Sequence, residues 1–353
     1  MDISDIICDA QIKLKKELEG RNAIFLDTKY WIYLRDAKKQ SSPPRASELL
    51  AMLQEGVAKG IIFCPISESV CMELMKQGNY DLRIETAKLI DSLSLGVALN
   101  LMDSRIKNEI AFFINKILGK TNLITPASVV WCKVAYIFGF FQISTAFDKH
   151  TKSLIQREVF RRMWNMTFGE FIEKLGDSKL QNMDRNDAAE NIHKKIIEHA
   201  HEVTSFKSAY SNEIRGIIRC FGDYALDYYI SMIKQDGIEA SQKERDETIN
   251  IFVNALTIAL AENKENTRDM IRTLHILGCL HATLRNDKGA PFSGNHLYDF
   301  EHSAAALAYC NAFLTENSLR SIVTQKNTAL DKSYNCHVVS KIDDAIVYIK
   351  TLL

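Results

Sequence analysis

The feature that most constrains this chain is a change of hydrophobic period. Short apolar runs that end in polar residues, each followed by a helical pattern, occupy its two ends. "NAIFLD" (22–27) is apolar until Asp27 and reads as a buried strand. "TKYWIYLRDAKK" then reads as helix, "QSSPPR" breaks the chain, and "ASELLAMLQEGVAKG" is amphipathic and stops at glycine. "IIFCPIS" reads as a second strand, and "SESVCMELMKQG" as a helix with Ser67 at its N-cap and Gly78 at its end. Strand, helix, strand, helix is the order of a parallel α/β sheet.

From about residue 82 to about 290 the helical period dominates and no strand is expected. The run "VVWCKVAYIFGFFQISTAF" (129–147) is nearly long enough for a membrane span. It carries Lys133 and Gln142 and lacks flanking basic clusters, so a buried helix or helix pair is expected. After "NDKGAPFSGN" the α/β character returns. "YDFEHSAAALAYCN" is a small-residue helix, "AFLTEN" a strand, "SLRSIVTQK" a helix, "NCHVVS" a strand and "KIDDAIVYIKTLL" a helix. The organisation expected is an α/β core built from residues 1–94 and 291–353, interrupted by a large all-α insertion over residues 95–290.

Composition narrows the function classes. Lysine plus arginine equals aspartate plus glutamate, 44 each, so net charge alone points to neither nucleic acid nor membrane. The eight cysteines form no CxxC pair, and most lie in apolar contexts, as reduced thiols do. The N-terminus reads as an amphipathic helix rather than a signal peptide. A cytoplasmic location with no membrane partner is expected, and self-association is left open.

Four acids fall at equivalent structural points: Asp27 at the end of the first strand, Glu73 in the helix after the second, Asp299 opening a helix, and Glu316 after "AFLT". Ligands of open parallel sheets collect at the carboxyl ends of the strands, and all four acids can meet there. Converging carboxylates repel unless a cation neutralises them. An all-oxygen set suits Mg²⁺ or Mn²⁺, which can activate water and clamp a phosphodiester. The chemistry so indicated is metal-assisted phosphodiester hydrolysis.

"FLDTKYW", "ISESVCMEL" and "DFEHSAAALAYCNAFLTEN", with the final strand and helix, resemble the PIN-like nuclease superfamily. The resemblance implies a three-layer α/β/α core with a parallel sheet, and an Mg²⁺- or Mn²⁺-dependent nuclease acting on RNA or single-stranded DNA. It implies that Asp27, Glu73, Asp299 and Glu316 bind the metal, with Thr28 and Thr315 as polar neighbours positioning metal waters or phosphate. Glu316 stands where the family usually has aspartate, and the separation of 73 from 299 exceeds that of compact members. A catalytically inactive PIN-like scaffold is the alternative implied.

Each acid also has a simpler reading. Asp27 and Asp299 suit N-caps, and Glu73 and Glu316 suit solvated surface. Glu68 rivals Glu73 for the second position. His302, on an alanine-lined helix, is more often a hydrogen-bonded core residue than a ligand, with a phosphate-orienting role left open. Arg35, Lys38 and Lys39 follow the first acid and are the phosphate-contact candidates by position. "QREVFRRMW" (156–164) pairs arginines with aromatics, which reads first as a solvated face over packed rings. The helical insertion is expected to select substrate or bind a protein regulator. "LGKT" lacks the earlier glycine of a phosphate loop, and His275 and His281, six apart, do not share a helix face for zinc.

Overall fold

Four strands pair in the order β2-β1-β5-β6, all parallel: β1 (Asn22–Leu26), β2 (Ile62–Phe63), β5 (Ala312–Leu314) and β6 (His337–Val339). This is a computed structural model, and it describes residues 3–37, 39, 43–141, 143–144, 146–176, 185–233, 241–287 and 292–353. The register sets Phe25 opposite Phe313 and Leu26 opposite Leu314. Ile24, Phe25, Leu26 and all of β5 are fully buried. Strands covered on both faces read as continuous apolar runs, which is why "AIFL" and "AFL" show no alternation.

The helix Ala46–Ala58 packs on β2 and on the last helix, Ile342–Leu352. The helix Gly294–Tyr309 packs on β5, on Glu68–Met75 and on Arg272–Asn286. Its run of Ser303 and Ala304 to Ala306 is fully buried, small residues allowing close approach to the sheet. Most other described residues are helical, and the buried apolar side chains form one continuous cluster from Leu14 to Ile349. The molecule is thus a largely helical α/β protein with a small parallel sheet. Among the described residues no helix is long and apolar enough to cross a membrane.

The expected all-α character of 95–290 does not hold. β3 (Val97–Leu99) and β4 (Trp131–Lys133) pair antiparallel there, and Ala98 is bridged to Ile66 beside the main sheet. The expected helix over 129–147 is absent as well. Its first part is β4 and a 3-10 turn, Val134–Tyr136, and Gly139 takes a positive φ of 97°; residues 142 and 145 lie outside the described residues. A strand of three residues is too short to show alternation, and an unbroken apolar run does not distinguish strand from helix. Buried Gln11 donates to the Val129 carbonyl at 2.7 Å, tying the first helix, Ile3–Glu17, to this segment.

Candidate active site

The sheet order places a topological switch between β1 and β5. The chain leaves β1 for β2 on one side and β5 for β6 on the other, which is the point where open parallel sheets collect ligands, at the carboxyl ends of the strands. Asp27 and Thr315 are the first residues past those ends. The Asp27 N–H still donates to the Leu314 carbonyl, and the Thr315 N–H to Val339, so the ladder itself sets the two side by side. Asp27 also caps the helix Thr28–Arg35, its Oδ1 accepting from the Tyr30 N–H at 3.2 Å. Capping and a site role therefore coexist at one residue.

Asp27 is 5% exposed. Burial pushes its carboxyl up to about 6, against the favourable influence of Thr315 and of the His302 charge. The Thr315 hydroxyl is fully buried and makes no complete hydrogen bond, although it lies close enough to favour the carboxylate of Asp27. Asp299 lies in the second turn of its helix, which starts after Ser293. It neither opens nor caps that helix, contrary to expectation, because the helical pattern runs back through "GNHLY". Burial, and then the charges of Glu73, Asp27 and Glu316, push its carboxyl up to about 7. Asp299 thus feels the charges of the other three acids, and Asp27 feels that of Glu316.

Two of the four are held by other partners. The Glu73 carboxylate accepts from the Thr28 hydroxyl at 2.5 Å and from His302 Nε2 at 2.7 Å. Burial works against its charge, but the His302 hydrogen bond and charge outweigh this and lower its pKa. His302 is 2% exposed, and its Nδ1 meets the Ser69 hydroxyl, which in turn meets Ser67 at 2.8 Å. Burial disfavours its charge, yet the bond to Glu73 and the charges of Glu73, Asp27 and Asp299 raise its pKa. Glu316, at the N-cap position of Asn317–Thr324, pairs with Lys29 at 3.2 Å in half-exposed surroundings. Among the described residues no three Asp, Glu, His or Cys side chains are grouped to hold a metal ion.

Glu68 is no rival to Glu73. It is 2% exposed, accepts from the Met102 N–H at 2.7 Å and pairs with the buried Arg105 at 3.2 Å. Arg35 is corrected as a phosphate contact: its guanidinium side chain is 7% exposed and binds Asp36, Gln77 and Thr86. Helix Tyr80–Ser94 covers it, which adjacency to Asp27 in sequence does not reveal. Lys39 pairs with Asp36, and Lys38 lies outside the described residues. Arg161 and Arg162 pair with Glu158 on an exposed face, while Phe160 packs on Tyr136 and Trp164. Sequence reasoning missed Lys29 as the partner of Glu316 and the Ser67–Ser69–His302 relay. The close serine spacing at the start of "SESV" was the one available signal for the relay.

An ion would suit this donor set chemically. Two buried carboxyls are forced towards neutrality, an orphaned hydroxyl adjoins one of them, and hard oxygens are the donors that Mg²⁺ and Mn²⁺ prefer. Among the described residues, Asp27 and Asp299 are the two of the four acids that form no ion pair. Glu73 and Glu316 would join only by exchanging the partners they hold. Compared with known proteins, the chain matches no family model, no curated protein and no solved structure.

Proposed function

We propose that this chain is a metal-dependent phosphodiester hydrolase with a PIN-like core, acting on RNA. The observation that carries the reading is the pair of carboxyls at the switch point, Asp27 pushed to about 6 and Asp299 to about 7 by burial and neighbouring charge. Such perturbed acids in a crevice are what a catalytic site requires and a capping role does not. Asp27 and Asp299 would hold Mg²⁺ or Mn²⁺, with Glu73 and Glu316 completing the set. The bound ion would supply an activated water and neutralise charge on the phosphate. Thr28 and His302 fix the Glu73 carboxylate, and Thr315 offers a hydroxyl to a phosphate or water beside Asp27. Lys29, exposed beside Glu316, would offer its cation to a phosphodiester backbone.

The second reading is an inactive scaffold, and the engagement of Glu73 by His302 and Thr28 and of Glu316 by Lys29 favours it. Labelled RNA and single-stranded DNA, incubated with the protein and Mn²⁺, separate the two. Cleavage by the natural chain that disappears in Asp27→Asn supports the hydrolase. Intact nucleic acid with both proteins leaves the scaffold.

A further inference from the structure

At the opposite end of the sheet lies a polar cavity of about 230 Å³, lined among others by Lys15, Trp131, Arg272, Tyr309, Asn311 and Tyr334. Asn311 immediately precedes β5, so this cavity opens at the amino edge, away from the acids that follow the strands. Its charges have one sign: Lys15 and Arg272 are cations, and no carboxylate lines it among the described residues. The half-buried Lys15 ammonium makes no ion pair or hydrogen bond with any described residue. Arg272 is fixed by the carbonyls of Asp269 and Ala308, both at 3.1 Å, and sits over the Tyr334 ring. Its carboxylate contact, Asp269, is at 3.5 Å and exposed. Asn311 spends its Oδ1 on the Ala23 N–H at 2.8 Å, which leaves its amide N–H groups as donors. The phenols are already engaged, Tyr309 with Glu109 and Tyr334 with His275 and the Arg268 carbonyl, so their rings are immobile walls.

We infer that this cavity binds the phosphate group of a phosphomonoester, seated between Lys15 and Arg272 with the Asn311 amide as a third donor. An arginine and an amide already held in place, with a lysine whose ammonium is uncommitted and no lining carboxylate among the described residues, match an anion rich in acceptor oxygens. A water occupies about 30 Å³ of liquid, so the volume admits a phosphate and part of the group it is joined to. The aromatic walls suit a sugar or base on that group.

The test is calorimetric titration of the full chain with inorganic phosphate, with AMP, and with a short oligoribonucleotide bearing a 5′-phosphate or a 5′-hydroxyl. Saturable binding of phosphate and of the phosphorylated ligands is expected. Lys15→Gln should weaken it by roughly tenfold or more, with an unchanged circular dichroism spectrum because the ammonium supports no other contact. Arg272→Gln should weaken it also. Tighter binding of the 5′-phosphorylated oligonucleotide than of AMP assigns the site to an RNA end; equal binding assigns it to a free nucleotide. Absence of saturation up to about 10 mM phosphate, or equal affinity in a folded Lys15→Gln protein, overturns the inference. Neither result depends on whether the acids at the other edge cleave RNA.

Discussion

Replacing Asp27 by Asn should make the protein more stable while removing the hydrolysis proposed for it. In the folded chain burial raises this carboxyl from its ordinary 3.8 to about 6. At about 1.4 kcal/mol per pH unit, keeping it ionised at pH 8 costs the fold about 3 kcal/mol. The sign follows from proton binding. Between pH 4 and pH 6 the folded chain holds a proton that the unfolded chain has released, so stability falls as pH rises, and the penalty is complete above about 6. Asparagine has no such penalty. Its Oδ1 can still accept from the Tyr30 N–H, and its amide can donate to the orphaned Thr315 hydroxyl. In urea denaturation with a chelator present, Asp27→Asn should gain about 1–3 kcal/mol over the natural chain at pH 8 and almost nothing at pH 4. The difference between the two proteins is the observable, because other groups titrate in both. Mn²⁺ should then close most or all of that gap: at a hundredfold excess over its Kd it adds about 2.7 kcal/mol to the natural chain and little to the variant. An Asp27→Asn protein less stable than the natural chain at pH 8, or a difference that does not change with pH, would refute the reasoning.

Glu316→Gln breaks a half-exposed ion pair with Lys29, so stability should change by less than about 0.5 kcal/mol while Mn²⁺-dependent cleavage of RNA falls at least several-fold. Arg105→Ala leaves Glu68 buried without its cation and should cost about 3–5 kcal/mol in urea denaturation. Pairing it with Glu68→Leu should restore much of that loss. Gly278→Ala drives a methyl into Ile214 Cδ1, where the helix Arg272–Asn286 meets Phe206–Cys220; a loss of about 1–3 kcal/mol is expected from overpacking, with metal affinity measured by calorimetry unchanged.

How much of this was legible beforehand depended on whether a residue's role was set by its own element or by another. Asp27 was legible because a buried strand must end where its polar residue begins, and Thr315 and Glu316 were legible for the same reason. β4 was not, since "WCK" inside a long apolar run carries no period of its own and takes its form from pairing with β3. Arg35 was misread because the groups that bury it, Gln77 and Thr86, lie on chain segments that one-dimensional reading cannot bring near. The choice between Glu68 and Glu73 shows the limit most clearly. Five residues at about 100° each put the two about 140° apart around one helix, so they face different partners. Sequence gives that angle but not which face looks into the crevice. The deciding residues are Arg105, which takes Glu68, and His302, which takes Glu73. Both arrive from far along the chain, and His302 reaches the crevice only because its helix begins at Gly294, early enough for Asp299 and His302 to fall one turn apart on the same side. The acid that senses the cluster and the histidine that restrains it are thus carried by one helix, whose packing buries Asp299 near Asp27, Glu73 and Glu316 so that their charges all register there.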